Sequence, residues 1–417
     1  MKYSISEVVE FIAENDVKFV RLVFCDVFGR IKNVTVMADC IEEVCRNGKA
    51  FTPTGIDGFG TEDLLLFPDL DTLNVLPWRP QQGRVIRFIC SEKKRDGSFF
   101  YGDGRSILAQ VLQDAEREGY RLKAGTESEF YLFCTDENGD PTYRPHDNGG
   151  YLDMAPLDKG ENIRREICYN LEAMEIRPTA SHHERGRGQH EIVFEEGDPL
   201  EACDNFLFFK SAVKVIGGKN GLYASFMPKP LPNEQGNGMN ITLDLWKEGE
   251  NLFGESVAAV TDTFRAFSAG VLAELEGITA FLNSTVNSYE RLGQFDAPER
   301  IGLSVDLSDC AARIVQGAGG VKLELRSADA LLNPYFALAL LIRAGLKGMR
   351  ENRSAPDESA KLPSTLSDAV RTARESAFVK EVLPEALICT YLDLQEQVIA
   401  EAIRNVGDYR EKLFRLA

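Results

Sequence analysis

The feature that most constrains this chain is a set of three short segments in which charged and apolar side chains alternate. Alternation with a period of two is typical of a half-buried β-strand, because successive side chains point to opposite faces. The charged faces are Glu191 and Glu195 in residues 189–195, Glu127 and Glu129 in residues 126–130, and Lys322, Glu324 and Arg326 in residues 321–326. Because each apolar face is predicted to enter the core, each charged face is held on a rigid strand.

These strands indicate a metal site if they converge. Five carboxylates would then meet, namely Glu127, Glu129, Glu184, Glu191 and Glu324. Like charges at short range raise each other's pKa unless a cation neutralises them. A ligand set rich in hard oxygen atoms favours Mg²⁺ or Mn²⁺ over zinc, and Mg²⁺ held by carboxylates usually serves a nucleotide phosphate. The alternative is that the three faces are ordinary solvated strand faces.

Length and charge narrow the class of protein. A chain of 417 residues exceeds the usual size of one domain, so two domains are expected. The formal net charge of -18 argues against a nucleic-acid partner. The nine cysteines are scattered and form no CxxC pair, which indicates a reducing compartment. No apolar run approaches the roughly 18 residues of a membrane helix, so we expect a cytoplasmic protein without a membrane partner.

The pattern of strands and helices predicts a sheet-rich domain over residues 1–100 and a larger domain over residues 101–417. We expect one helix to begin at an N-cap on Ser106, another at an N-cap on Asn162, and a third at Asn333-Pro334. Residues 136–162 are predicted to form a long functional loop. Two helices are predicted to finish the chain after a polar linker at residues 351–362.

With these strands in place, the chain resembles a glutamine synthetase of the bacterial and archaeal type. The residues that carry the resemblance are Gly125-Thr126-Glu127-Ser128-Glu129-Phe130, Asp147-Asn148-Gly149-Gly150-Tyr151-Leu152-Asp153, Ala180-Ser181-His182-His183-Glu184, Gly188-Gln189-His190-Glu191, Phe226-Met227-Pro228-Lys229-Pro230, Asn287-Ser288-Tyr289, Glu324-Leu325-Arg326-Ser327 and Asn333-Pro334-Tyr335. Each motif is weak alone, but the set is specific.

The resemblance implies an α+β fold, with a small β-grasp amino-terminal domain and a larger catalytic domain whose curved antiparallel sheet is flanked by helices. It also implies a homo-oligomer, commonly a dodecamer of two hexameric rings whose active sites are shared between neighbours. The implied substrates are ATP, glutamate and ammonia. ATP phosphorylates the γ-carboxylate of glutamate, and ammonia then displaces the phosphate.

The resemblance also assigns roles to residues. Glu129, Glu184 and Glu191 would hold one metal, and Glu127 and Glu324 the other. The substrate residues would be Arg291 and Arg326 on carboxylate oxygens, with Gln235 and Gly236 beside the amino-acid end. Arg313 would contact nucleotide phosphate, with Lys322 as a further cation. Asp296 would accept a proton. His182 and His183 are left open as core residues or as groups behind the metal ligands.

Several positions depart from the family pattern. Asn240 replaces a metal-binding histidine, although its amide oxygen can still coordinate Mg²⁺. Thr242 replaces a second histidine, and Ser308 an arginine on the migrating phosphate. Thr52 replaces a neighbour-subunit aspartate that attracts ammonium, so a bulkier primary amine becomes a possible acceptor. The predicted activity is therefore an ATP-dependent ligase using ammonia or an amine. The alternative is a catalytically silent homologue with a binding or regulatory role.

Overall fold

Two β-sheets organise the molecule. The computed structural model describes residues 3–306, 309–354 and 360–417, so the prediction for Ser308 lies outside the described residues. The first sheet has six strands: β1 (Val17–Cys25), β2 (Ile31–Met37), β3 (Lys49–Phe51), β4 (Leu64–Pro68), β5 (Asn74–Val75) and β6 (Arg84–Lys94). Its order is β2-β1-β6-β4-β3, with β5 on β6 and with β1 parallel to β6. With helices α1 (Ile5–Glu14) and α2 (Ile41–Asn47), this sheet forms the predicted β-grasp fold.

The second sheet carries the charged strands. Its ten strands are β7 (Arg121–Thr135), β8 (Pro141–Pro145), β9 (Pro178–His183), β10 (Gln189–Phe194), β11 (Leu222–Ser225), β12 (Met239–Lys247), β13 (Glu250–Asn251), β14 (Arg300–Ser304), β15 (Cys310–Gly317) and β16 (Gly320–Leu325). The central order is β14-β15-β16-β12-β7-β10-β9, and every pair except β14 with β15 is antiparallel. The predicted α+β class is confirmed.

Helices cover the second sheet and complete the chain. They are α3 (Gly104–Arg117), α4 (Glu161–Glu172), α5 (Pro199–Lys219), α6 (Asp262–Leu282), α7 (Val286–Arg291), α8 (Pro334–Arg350), α9 (Leu366–Glu375), α10 (Ala377–Val382), α11 (Glu385–Arg404) and α12 (Val406–Leu416). Helices α6 and α8 pack with their backbones in close contact, because a Cβ on Gly270 would lie 2.6 Å from the Cα of Gly348. Small residues at this crossing therefore set the distance between the two helices.

Two predicted helix starts are wrong by two or three residues. Helix α3 is capped by Asp103, whose carboxylate accepts the backbone N–H of Ser106 at 2.9 Å. Helix α4 follows an N-cap at Gly160 rather than at Asn162. The start of α8 is confirmed, since the side chain of Asn333 accepts the N–H of Tyr335 at 3.1 Å.

Two further expectations change. The predicted loop over residues 136–162 contains strand β8, and four helices rather than two follow residue 360. All nine cysteines are free. Within the described ranges, no helix is both long and apolar enough to span a bilayer.

Candidate active site

The register of the second sheet aligns the acidic side chains across neighbouring strands. Glu191 on β10 lies directly opposite Glu129 on β7, and Asn240 on β12 lies opposite Glu127 on β7. One strand further, Glu324 on β16 lies opposite Thr242 on β12. The three charged strands predicted from the sequence therefore lie together near the middle of one sheet.

Glu191 is the side chain most affected by this convergence. It is 8% exposed, and burial raises its pKa well above the usual value, with further increases from the charges of Glu129, Glu127 and Glu184. Burial and then the charge of Glu184 raise the pKa of Glu129 to about 8. A group of buried acids that repel one another is a suitable site for divalent cations, which would remove that repulsion.

Glu127 shows the same effect less strongly. Burial raises its pKa, the charge of Glu324 raises it further, and a hydrogen bond from Asn240 acts in the opposite direction. Asn240 therefore contacts a predicted metal ligand. This contact is expected if the amide group of Asn240 takes the place of the metal-binding histidine of the family pattern.

His182 lies among the candidate ligands. Its Nε2 is 2.7 Å from Glu184 Oε1 and 3.8 Å from Glu191 Oε1, and one ligand atom from each of the three residues lies within 4.8 Å of the others. The sequence alone did not decide whether His182 is a core residue or a group behind the metal ligands. The pairing of β9 with β10 decides it, because that pairing sets His182 opposite Glu191.

A second buried group of acids and histidines already contains a cation. Asp147, Asp158, His183 and His190 lie together, but the guanidinium of Arg164 donates to both oxygens of Asp158, at 3.1 and 2.7 Å. The same guanidinium lies 2.8 Å from His190 Nδ1. We therefore interpret this group as a structural network rather than as a metal site.

This network supports the turn that begins at Glu184, directly after β9. His183 Nδ1 lies 2.6 Å from the backbone oxygen of Glu184, and His183 Nε2 lies 2.8 Å from Asp147 Oδ1. The backbone N–H of Gly188 donates to the same carboxylate oxygen at 3.0 Å. His183 and Asp147 thus tie the turn between β9 and β10 to the loop that follows β8.

The cations predicted for the nucleotide are each held by an acid. Arg313 on β15 forms a forked pair with Glu324, with contacts of 3.1, 3.1 and 2.7 Å. Lys322 forms an ion pair with Glu196. Glu196 also accepts the hydroxyl of Thr242 at 2.9 Å. The sequence analysis missed Glu196, because residues 196 and 322 are brought together only by the folded sheet.

The predicted substrate arginines lie beside the acidic group, close enough to Glu129 for its charge to affect both of them. Arg291 is 3% exposed and donates through Nη2 to the carbonyls of Ser327 and Ala328, at 2.6 and 2.9 Å. A Cβ on Gly236 would lie 2.5 Å from Arg291 Cγ, so only glycine fits beside this side chain. Arg326 donates to the carbonyl of Asp296 at 2.9 Å.

Asp296 lies on the loop after α7 and contacts both sides of the site. Its carboxylate accepts the side-chain amide of Gln235 at 2.9 Å and lies 3.1 Å from Arg185 Nε. Its side chain is 59% exposed, so it faces solvent at the mouth of the site. Thr52 directly follows β3 of the first sheet, and its hydroxyl donates to Asp63 at 2.7 Å.

Comparison with known proteins agrees with this arrangement. The model of the glutamine synthetase catalytic domain matches residues 101–412, and that of the glutamine synthetase β-grasp domain matches residues 16–94. The chain belongs to the glutamine synthetase family. The glutamine synthetase of Clostridium saccharobutylicum is 38% identical, over 99% of this chain and 97% of that protein. The glutamine synthetase of Staphylococcus aureus strain MW2 is 40% identical, over 90% of each chain.

Solved structures of this family share the fold. The chain superposes on GmaS in complex with ADP with a TM-score of 0.87, 27% identity and 99% coverage of both chains. Apo GmaS gives a TM-score of 0.86, with 28% identity and coverage of 97% and 98%. The glutamine synthetase of Plasmodium falciparum gives a TM-score of 0.88 at 21% identity, with 99% coverage of both chains, which supports the fold alone. The glutamine synthetases among these relatives are ATP-dependent ligases.

Proposed function

We propose that this glutamine synthetase homologue is an ATP-dependent ligase that joins the γ-carboxylate of glutamate, or of a close analogue, to ammonia or a primary amine. The observation that carries the proposal is the register that sets Glu191 opposite Glu129 and Asn240 opposite Glu127. Buried acids on neighbouring strands repel one another, and divalent ions between them would remove that repulsion. The ADP complex of GmaS supports a nucleotide site on the same fold.

The donor set fits two Mg²⁺ or Mn²⁺ ions. Glu129, Glu184 and Glu191 would hold one ion, with His182 beside it. Glu127, Glu324 and Asn240 would hold the other, through two carboxylates and an amide oxygen. When bound, such ions neutralise the charge of a phosphoryl group in transfer.

The chain's own residues would bind the substrates around this group. Arg313 and Lys322 would bind nucleotide phosphate after exchanging their present carboxylate partners for it. Arg291 and Arg326 would orient the glutamate carboxylates, beside Gln235 and Gly236. The γ-carboxylate oxygen attacks the terminal phosphorus of ATP, which yields an acyl phosphate and ADP.

The second step would use the exposed carboxylate at the mouth of the site. The amine nitrogen attacks the acyl carbon, phosphate leaves, and the nitrogen loses a proton. Asp296 would accept that proton, since its carboxylate faces solvent between Gln235 and Arg185. We further propose a division of the chain near residue 100, assembly as a dodecamer of two hexameric rings with shared sites, and a cytoplasmic location.

A direct assay tests the proposed activity. Purified full-length chain, ATP, Mg²⁺ and L-glutamate are combined with ammonium or with each of a panel of primary amines. Phosphate release is measured together with the amide product by mass spectrometry. We expect both products in equal amounts with at least one acceptor. Phosphate release from no combination would contradict the proposal.

The side chains predicted to bind the nucleotide are already paired with acids. This pairing favours a second candidate function, that of a catalytically silent homologue. Arg313 is occupied by Glu324 and Lys322 by Glu196, and Asn240 and Thr242 stand where the family has imidazoles. Calorimetry with ADP and Mg²⁺ separates the two functions. A silent homologue binds ADP weakly or not at all, whereas the ligase binds it in a metal-dependent way.

A further inference from the structure

A cavity of about 380 Å³ lies away from the acidic group, between the β1–β2 turn and the carboxyl-terminal helices. Its walls come from the turn at Phe28–Lys32, from helix α5, from helix α11 and from helix α12. The volume falls in the range of about 300 to 1,000 Å³ that is usual for small-molecule sites. No residue of the proposed active site lines it.

The charge around this cavity is opposite to that of the whole chain. The chain carries a formal net charge of -18. The charged side chains that line the cavity are Arg30, Lys32, Lys210, Lys214 and Lys412, with Glu401 as an acid. The acids elsewhere on the chain repel anions, whereas the positive side chains of this lining attract them. The lining therefore indicates a site for an anion.

Three of the five cations already have acidic partners. Arg30 lies 2.7 Å from Asp57, Lys32 lies 3.5 Å from Asp26, and Lys412 lies 2.8 Å from Glu401. These pairs fix the rim of the cavity. They leave Lys210 and Lys214 as the cations available to a ligand.

Lys210 and Lys214 lie one turn apart on α5 and donate to backbone carbonyls. Lys210 Nζ donates to Ala330 O at 2.8 Å, and Lys214 Nζ donates to Leu416 O at 2.9 Å. Neither ammonium forms a salt bridge within the described residues 3–306, 309–354 and 360–417. Each ammonium has three N–H donors, so two on each remain for a ligand or for water.

The neighbouring walls keep these ammonium groups from full hydration. Burial, and then the nearby charge of Lys214, lower the pKa of Lys210 to about 7. Burial also lowers the pKa of Lys214 to about 8. A pair of poorly solvated cations gains more from a bound anion than two surface lysines would.

Most of the remaining lining is apolar, apart from the hydroxyl groups of Ser211, Ser284, Thr285 and Tyr409. It includes Phe28, Leu207, Leu331, Val398, Leu413 and Leu416. A small inorganic anion would leave these walls in contact with water, whereas an apolar body attached to the anion would cover them.

We propose that this cavity binds a small organic anion with an apolar body, such as a medium-chain carboxylate, whose charged group is held by Lys210 and Lys214. The charged group accepts hydrogen bonds from both ammonium groups, and the apolar body contacts Leu207, Leu413 and Leu416. The site is independent of the proposed ligase activity, since no residue is shared.

Calorimetry on the full-length protein tests the site with three probes. Octanoate carries both the charge and the apolar chain, octanol carries the chain alone, and acetate carries the charge alone. We expect octanoate to bind at one site per chain, about tenfold or more tightly than either of the others. Equal affinity for octanol and octanoate would overturn the proposal, as would an absence of octanoate binding.

Substitutions then locate the site. Lys214→Met and Lys210→Met keep the side-chain length and remove the charge, so each should weaken octanoate binding by about tenfold. Lys219→Met on the same helix is the matched control, because Lys219 is exposed and bonds instead to Trp78 O. It should leave the affinity unchanged.

A cavity-filling variant gives a second test that does not depend on the folding of the lysine variants. Ser211→Trp places a bulky ring at the wall and should abolish octanoate binding, with the thermal midpoint as the check on folding. Wild-type affinity in both lysine variants would overturn the proposal. So would a change in assembly size in those variants without any octanoate binding to the wild type, which would indicate that a second copy of the chain occupies the cavity.

Discussion

At the scale of single residues, Glu129 and Glu191 connect the proposed metal site to the stability of the protein. A carboxyl group whose pKa is raised by folding stabilises the protein below its usual pKa, near 4.5, and that contribution is lost as pH rises through the folded value. For Glu129 the folded value is about 8. We therefore expect the thermal midpoint of the chelator-treated protein to fall between about pH 5 and about pH 8.

Mg²⁺ should reduce this fall, because it replaces the protons between the acids. Glu129→Gln should flatten the profile in chelator, since the amide cannot ionise. Glu195→Gln is the control, because Glu195 is exposed and pairs with Arg177 at 3.3 Å. Identical profiles with and without Mg²⁺ would show that the acids do not bind the ion.

Glu196 is expected to compete with the nucleotide. It holds Lys322 and also accepts the hydroxyl of Thr242 at 2.9 Å. Glu196→Gln should free Lys322 and tighten ADP binding in the presence of Mg²⁺ by about fivefold, the equivalent of about 1 kcal/mol. Calorimetry measures the affinity, with Glu195→Gln again as the matched control. Weaker binding in Glu196→Gln would instead make Glu196 part of the nucleotide site.

At the scale of elements, the loop after α7 places the proposed proton acceptor. Asp296→Asn keeps the side-chain size and removes the base, so amide formation should slow by about 10²-fold. ADP affinity should not change, since the Asp296 carboxylate contacts Gln235 and Arg185 rather than the cations proposed for the nucleotide. Asp296→Glu keeps the carboxylate and should retain activity. Equal rates for the Asn variant and the wild type would exclude Asp296 as the base.

The charged strands could be predicted because their two faces differ in chemistry. Ile192 and Phe194 are buried while Glu191 faces its neighbours, and a period of two expresses this directly in the sequence. The cap of α3 could not be predicted, because Asp103 and Ser106 are both good capping residues. Only the backbone conformation decides between them.

The candidate site was predictable to the same extent. The acids on β7, β10 and β16 were identified from alternation, and the family resemblance added Arg291 and Asp296. His182 required the pairing of β9 with β10, and Glu196 required a contact with Lys322 across 126 positions of the sequence. Contacts of this kind depend on the folded sheet, which local pattern does not specify.

At the scale of the whole molecule, Thr52 tests whether sites are shared between subunits. In the proposed ring, Thr52 of one subunit faces the acceptor end of its neighbour's site. Thr52→Asp supplies a counter-charge for ammonium, so the KM for ammonium should fall about fivefold or more. Glutamine formation is the measurement, and Thr54→Asp is the control two residues away. An unchanged KM would place Thr52 outside the acceptor site.

The aligned acids of the second sheet are proposed to hold divalent ions. Electron paramagnetic resonance of free Mn²⁺ during a titration of the full-length protein measures this most directly. We predict that the wild type binds two ions per chain. Glu191→Gln should bind fewer ions, or bind them more weakly, because one of the ligands loses its charge. Wild-type protein that leaves all of the Mn²⁺ free would contradict the account.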